Sequence, residues 1–251
     1  MNQTGGCGMM DDGGRERADN DSSKKIRDVA RAKELAGKRA AEFVEDGMTV
    51  GLGTGSTAYW VIQSLASRVS QGLRLRGLPT SEQTAQLARK VGIPLVTFAD
   101  VHSLDLDIDG ADEMDDHLQL IKGGGGALMR EKLVAVAARK FIVVVDSSKR
   151  VSVLGKFPLP VEVVPFAWQT TARRVEHCGC RPHLREQDGT PFVTDNGNYV
   201  LDCFCGDIAD PMGLHQQLKL LPGVVETGLF VNMATEAVVS DGIKVEVLLP
   251  Q

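Results

Sequence analysis

Residues Leu120–Arg139 read LIKGGGGALMREKLVAVAAR. A short apolar run ends at Lys122, four glycines follow from Gly123 to Gly126, and a helix-patterned segment then opens with Glu131 in its first turns. Glycine loses more backbone freedom on folding than any other residue, so four in succession are not there to pack. They let the main chain approach a ligand closely and take left-handed angles. A cation precedes the loop and a carboxylate follows it, both placed to face whatever the loop encloses. The plain alternative is a flexible turn between strand and helix, although two residues suffice for that.

A second strand–glycine–helix unit lies upstream. Met48–Leu52 reads as a short buried strand, Gly53-Thr54-Gly55-Ser56-Thr57 as a loop, and Ala58 to about Val69 as a helix. Unpaired amides at a helix start, with its positive dipole end and nearby hydroxyls, suit an anion. The GxGxxG dinucleotide pattern is incomplete, and a Walker A loop would need a lysine that is absent. A monophosphate is therefore the expected anion, with simple capping by Ser56 or Thr57 as the alternative. Around this unit, Arg27–Val44 is helix-patterned through Val29, Ala32, Leu35, Ala36, Ala40 and Phe43, and ends at Asp46-Gly47. Leu73–Leu78 reads as a strand, Pro79–Glu82 as a turn, Thr84–Val91 as a helix and Pro94–Phe98 as a further strand. Strands alternating with helices predict an α/β fold with a parallel, Rossmann-like sheet. Ligands of such sheets lie at the carboxyl ends of the strands, where both glycine loops fall.

Leu104–Asp116, LDLDIDGADEMDD, alternates apolar residues with Asp105, Asp107 and Asp109, a strand pattern. Asp109-Gly110-Ala111-Asp112-Glu113 forms the loop at its end. Asp105, Asp107, Asp109 and Gly110 also match the first half of an EF-hand loop, but Asp112 and Asp116 break the match at its eighth and twelfth positions. A solvated acidic loop and a carboxylate pair entering the cleft of Lys122 and Glu131 both remain open on this pattern.

The 251 residues, 43% of them hydrophobic, allow one large domain or two smaller ones. A net charge of −5 disfavours a nucleic-acid partner. No stretch approaches the length of an apolar membrane span, and the N-terminus lacks the apolar core of a signal peptide, so a soluble, cytoplasmic protein is expected. Residues 1–25 are polar and glycine-rich, and a disordered tail is expected there.

Downstream, Phe141–Val145 is a β-branched buried strand that delivers Asp146-Ser147-Ser148-Lys149 to the same sheet edge. Gly155–Pro160 reads as a hinge. Beyond it come Val161–Val164, a helix around Thr170–His177, strands near Phe192-Val193 and at Tyr199–Phe204, a turn at Asp195-Asn196-Gly197, and a helix at Met212–Leu220. That order resembles a small ferredoxin-like α+β unit, which Val224–Phe230 either completes or leaves for the main sheet. Ala237–Val239 and Lys244–Leu249 read as closing strands. The expected division is a tail over 1–25, a main α/β domain over 26–157 and 226–251, and a small α+β domain over 158–225. Of five cysteines, Cys7 lies in the tail, and Cys178/Cys180 and Cys203/Cys205 form two Cys-x-Cys pairs. That spacing is poor for zinc, and reduced thiols are expected.

Taken together, GTGSTA at Gly53–Ala58, DGADE at Asp109–Glu113, KGGGGAL with REK across Lys122–Lys132, and the later DSSK and LGKFPLPVEV resemble ribose-5-phosphate isomerase of the A type. The resemblance runs from about Arg31 to the C-terminus. It implies interconversion of ribose 5-phosphate and ribulose 5-phosphate in the pentose phosphate pathway, without metal or cofactor. It places the family's catalytic glutamate on Glu131, its substrate-contacting aspartates on Asp109 and Asp112, and its active-site lysine on Lys122. The phosphate loop falls on Thr54, Gly55, Ser56 and Thr57, with Lys33 and Lys149 near the phosphate. Gly110, Ala111, Gly123, Gly124 and Gly125 complete the expected substrate contacts. A homodimer or homotetramer, with the small domain closing one side of the cleft, is implied as well.

These residues suit that chemistry. One carboxylate can carry a proton between C2 and C1 of a sugar through an enediolate. A fixed cation and backbone amides must face the oxygen that becomes negative, which fits Lys122 and the loop. Two rival readings fit less well. A sugar-phosphate deaminase or lactonase would want a cleft histidine, and the nearest, His102 and His117, read as surface. A non-catalytic sugar-phosphate sensor domain would keep the phosphate loop but could dispense with Glu131.

Overall fold

A computed structural model describes residues 13–250, with side chains described from Ile26 onward. Residues 1–12, half of the expected tail, lie outside the described residues. The first helix, α1, runs Gly13–Ala41 and so starts well before the Arg27 expected from apolar spacing. No proline interrupts residues 13–26, and extending a helix whose later turns are packed costs far less than starting one. Next come β1 (Thr49–Leu52), α2 (Ser56–Ser70), β2 (Arg76–Pro79), α3 (Glu82–Lys90) and β3 (Leu106–Asp109). Then follow β4 (Glu113–Met114), β5 (Leu120–Ile121), α4 (Leu128–Ala137) and β6 (Phe141–Asp146). The strand expected at Pro94–Phe98 shrinks to a single bridge between Leu95 and Gly77. Pro94 has no N–H to donate to a ladder, which limits pairing there.

The second unit contains β7 (Leu159–Val163), α5 (Trp168–Glu176), β8 (Arg181–Leu184), the short hairpin β9 (Glu186–Gln187) and β10 (Thr190–Pro191), β11 (Tyr199–Phe204), α6 (Pro211–Lys219) and β12 (Val224–Thr227). Its four-stranded sheet has the order β12-β7-β11-β8, all antiparallel. With the hairpin left aside this is the β-α-β-β-α-β arrangement of a ferredoxin-like layer. β12 pairs with β7, so the small sheet extends past the expected boundary at 225. Phe192-Val193 contributes only a bridge from Val193 to Tyr199. The strand opposite β11 is instead Arg181–Leu184, a four-residue RPHL stretch with a single aliphatic side chain. The chain then returns through β13 (Leu229–Phe230), β14 (Glu236–Ser240) and β15 (Val245–Leu248).

The main sheet has the order β15-β14-β6-β3-β1-β2, parallel except for the edge strand β15. β6, FIVVVD, is buried along its whole length, as expected of a strand covered on both faces. α1 and α2 pack closely: a Cβ on Gly37 would lie 2.7 Å from the Trp60 Cβ. The strand order reverses between β1 and β3, so the loops leaving them diverge and open a crevice. Residues 54–57 and 110–112 line that crevice.

The expectation of reduced thiols is corrected. Cys180 and Cys205 are joined in a disulfide, and Cys178 and Cys203 are free. β8 and β11 run antiparallel with Arg181 opposite Phe204, which brings the next residues, Cys180 and Cys205, face to face. Spacing alone could not show this, because the pairing depends on a strand that the apolar pattern does not mark.

Candidate active site

β3 ends in the carboxylate that anchors the cleft. Asp109 is fully buried, and its Oδ1 accepts the N–H groups of Gly110 at 2.7 Å and Thr54 at 3.0 Å. This ties the aspartate loop to the first glycine loop. Gly53 is needed at that crossing, since a Cβ there would fall 2.2 Å from Asp109 Oδ1. The other oxygen, Oδ2, lies 3.0 Å from Lys122 Nζ. Lys122 also donates to the Gly110 carbonyl at 2.6 Å and stands 3.4 Å from Glu131 Oε2. Glu131 sits in the first turn of α4. The glycine loop thus brings the lysine before it and the glutamate after it to one point, as the spacing predicts.

Burial decides the electrostatics. Glu131 is pushed up to about 8, first by burial, with Lys122 opposing and the charges of Asp109 and Asp112 adding to the rise. Asp109 is raised by burial too, against the pull of Lys122. Burial alone would lower Lys122, but Asp109 and Glu131 outweigh it and its ammonium is held more firmly than usual. Asp107, two residues earlier on β3, belongs to the alternating apolar–Asp pattern of the sequence. The strand is covered on both faces, and Asp107 is fully buried with neither carboxyl oxygen hydrogen-bonded. Burial and neighbouring Asp109 raise it well above the ordinary carboxyl range. Its place inside this strand, with Asp109, also rules out an EF-hand loop geometry.

The glycine loop turns through left-handed angles at Gly123 and Gly126, with φ of +102° and +79°. Asp112 Oδ2 accepts the Gly124 N–H at 2.7 Å. At the other glycine loop, Gly55 takes φ +103° and leads into α2, which has no side-chain cap. Its first amides are left without a side-chain cap, and Ser56 and Thr57 line the cleft. Lys33, from α1, donates to Ser56 Oγ at 2.9 Å. Lys149 enters from a single 3₁₀ turn after β6. The Thr54 hydroxyl points the other way, into a cluster with Thr80, Ser81 and Thr84 at 2.7, 2.8 and 3.1 Å. Its methyl group faces Gly125 across the cleft, and its hydroxyl does not reach it.

One crevice is lined by every residue expected at the site except Asp109, which forms its floor just beneath. Sequence reading missed three contributors. These are Asp107, the hydroxyl cluster that fixes Thr54, and Arg185 of the small unit, which reaches the glycine loop. Only the hydroxyl run Thr80-Ser81 and Thr84 after β2 left a visible signal. His102 and His117 are both exposed and outside the crevice. Among the described residues, no helix is long and apolar enough to cross a membrane.

A parallel α/β sheet with an uncapped helix start and a buried carboxylate–ammonium–carboxylate cluster at its switch point defines a small-molecule enzyme that handles an anionic substrate. A family model described as ribose 5-phosphate isomerase A (phosphoriboisomerase A) matches residues 76–242. The ribose-5-phosphate isomerase A of Bacillus mycoides is 53% identical over 215 residues, covering 84% of this chain and 97% of that protein. A solved ribose 5-phosphate isomerase A from Methanocaldococcus jannaschii is 40% identical with a TM-score of 0.83, over 86% of this chain and 97% of the other. A D-ribose-5-phosphate isomerase solved in complex with phospho-erythronic acid is 38% identical with a TM-score of 0.84, over 86% and 97% of the two chains. The chain belongs to the ribose 5-phosphate isomerase A family and is an isomerase.

Proposed function

We propose that this enzyme interconverts D-ribose 5-phosphate and D-ribulose 5-phosphate through an enediolate, with Glu131 moving the proton. The observation that carries this is the triad of Asp109, Lys122 and Glu131, closed within 3.0 and 3.4 Å of one ammonium in the crevice that also receives the start of α2. The phosphate sits against the amides and hydroxyls of Ser56 and Thr57, near Lys33 and Lys149. Its binding energy positions carbons that do not touch it.

In the open-chain aldose, Glu131 takes the proton from C2. The C2–H electrons form the C1–C2 double bond, and the carbonyl electrons move onto O1. Lys122 and the loop amides meet that charge. Asp109 relays the hydroxyl proton from O2 to O1 and assists ring opening, while Asp112 orients sugar hydroxyls and holds the loop through Gly124. Glu131 then returns its proton to C1, and C2 becomes the ketone. Asp109 Oδ2 and Glu131 Oε2, both buried, face the Lys122 ammonium and have no further polar partner among the described residues. Substrate hydroxyls would supply one. The same reading places the protein in the cytoplasm as a homo-oligomer and the small unit as one wall of the cleft.

The test is conversion of ribose 5-phosphate in heavy water. Ketose must appear together with solvent deuterium at the exchanged carbon; ketose formed with no exchange under any condition argues against a solvent-accessible carboxylate shuttle, and no ketose rejects the substrate. Ser56→Ala combined with Thr57→Ala is expected to raise KM about tenfold and lower kcat little, since a group that binds ground and transition states alike acts on KM. An unchanged KM would remove these hydroxyls from phosphate binding.

A further inference from the structure

The small unit grips the glycine loop through one side chain. Arg185, the residue after β8, donates from Nε to Asp202 Oδ2 at 2.9 Å and from Nη2 to Asp202 Oδ1. Its Nη1 donates to the carbonyls of Gly123 at 3.0 Å and Gly124 at 3.1 Å. The guanidinium stands 5.7 Å from the centre of the Phe192 ring, and that ring fills the space a side chain at position 126 would need. One planar fork therefore joins β11 of the small unit to two successive peptides of the loop.

In a trans peptide the C=O and the following N–H point in opposite directions. Holding the Gly123 carbonyl outward turns the Gly124 N–H inward, where Asp112 accepts it at 2.7 Å. Holding the Gly124 carbonyl outward turns the Gly125 N–H inward by the same geometry. No described residue accepts that N–H, and Gly125 is exposed on the wall of the crevice beside Thr54. A glycine peptide has the least intrinsic resistance to flipping. A flip would present a carbonyl oxygen to the place where negative charge grows.

We propose that Arg185, anchored by Asp202, is a positioning residue that aims the Gly125 N–H at the oxygen becoming negative during turnover. It touches no reacting atom and acts through the two carbonyls. The inference rests on the isomerase reading above.

Its test compares kcat and KM of Arg185→Ala and Asp202→Asn with the parent, with and without added ethylguanidinium. Losing one oxyanion donor costs about 10²–10³ in kcat, so a misaimed one is expected to cost about 30-fold in Arg185→Ala. KM should stay near the parent value, because the phosphate is held at the other loop. Asp202→Asn should show a smaller loss of the same kind. Ethylguanidinium should recover kcat in Arg185→Ala and leave both the parent and Glu131→Gln unchanged. If Arg185→Ala does not fold, Arg185→Lys serves, since a shorter side chain ending in one nitrogen cannot occupy the separate positions that Nε, Nη1 and Nη2 hold against Asp202 and the two carbonyls, and the same kcat-only loss is expected. Parent-like kcat in a folded Arg185 variant, or a loss that guanidinium does not recover, overturns the positioning role while parent turnover keeps the isomerase reading. A parent chain that does not isomerise the sugar phosphate removes both.

Discussion

Glu131→Gln is expected to lose at least about 10³-fold in kcat, because positioned acid–base groups contribute up to about 10⁴-fold and in the proposed mechanism this one serves both proton transfers. Glutamine matches the carboxylate in shape and can still take part in the cleft's hydrogen bonds, so sugar-phosphate affinity should remain close to the parent. Isothermal titration with a non-reacting phosphorylated sugar acid measures that directly. A variant with full turnover would take Glu131 out of the reaction; one that loses binding as much as turnover would make it a binding group.

The pH dependence follows from the same side chain. Glu131 accepts a proton only as the carboxylate, and burial holds it near 8 in the free enzyme. Below that value kcat/KM should fall about tenfold per pH unit, and above it the profile should level off. Lys122 keeps its proton throughout, because its two carboxylate neighbours raise it further. A profile flat from pH 6 to 8 would show that substrate does not meet the protonated acid, and would set the burial argument aside.

Much of this site was legible because its chemistry is local in sequence. Lys122, the glycines and Glu131 occupy ten consecutive positions, and strand–loop–helix geometry leaves them little choice but to converge. The same holds for Gly53–Thr57 at the start of α2. What sequence could not show depends on tertiary placement. Asp107 reads as a polar member of an alternating strand, and only a sheet covered on both faces buries it. Arg185 lies 61 residues from Gly124, in a segment whose apolar pattern gives no strand. The Cys180–Cys205 bond depends on the register of that same strand. The early start of α1 reflects helix propagation from a packed segment, which composition does not reveal.

Lys122→Met should be the most damaging change for the folded state. The lysine side chain is 3% exposed, and it is the cation facing Asp109, itself without exposure, and Glu131. Methionine replaces the volume but leaves two buried carboxyl groups with no positive partner. Breaking a buried pair from one side costs about 3–5 kcal/mol, less whatever is recovered when the orphaned acid takes up a proton. That recovery gives the prediction its sign. Asp109 is raised above its unfolded value already, and without Lys122 it rises further. An acid whose folded pKa is raised stabilises the fold at pH below its unfolded value, and that contribution is lost as pH climbs through the folded one. The deficit of Lys122→Met, measured by urea denaturation against the parent, should therefore be small near pH 5 and reach about 3 kcal/mol by pH 8. Turnover should fall by about 10³-fold at every pH, since the charge that meets the enediolate oxygen in the proposed mechanism is gone. Lys122→Arg should not restore it, because a planar fork cannot occupy a pocket shaped for a point charge between Asp109, Glu131 and the Gly110 carbonyl. A deficit that is the same at pH 5 and pH 8 would mean that Asp109 is not ionised against Lys122, and the electrostatic account of the cleft would have to be rebuilt around a different pair.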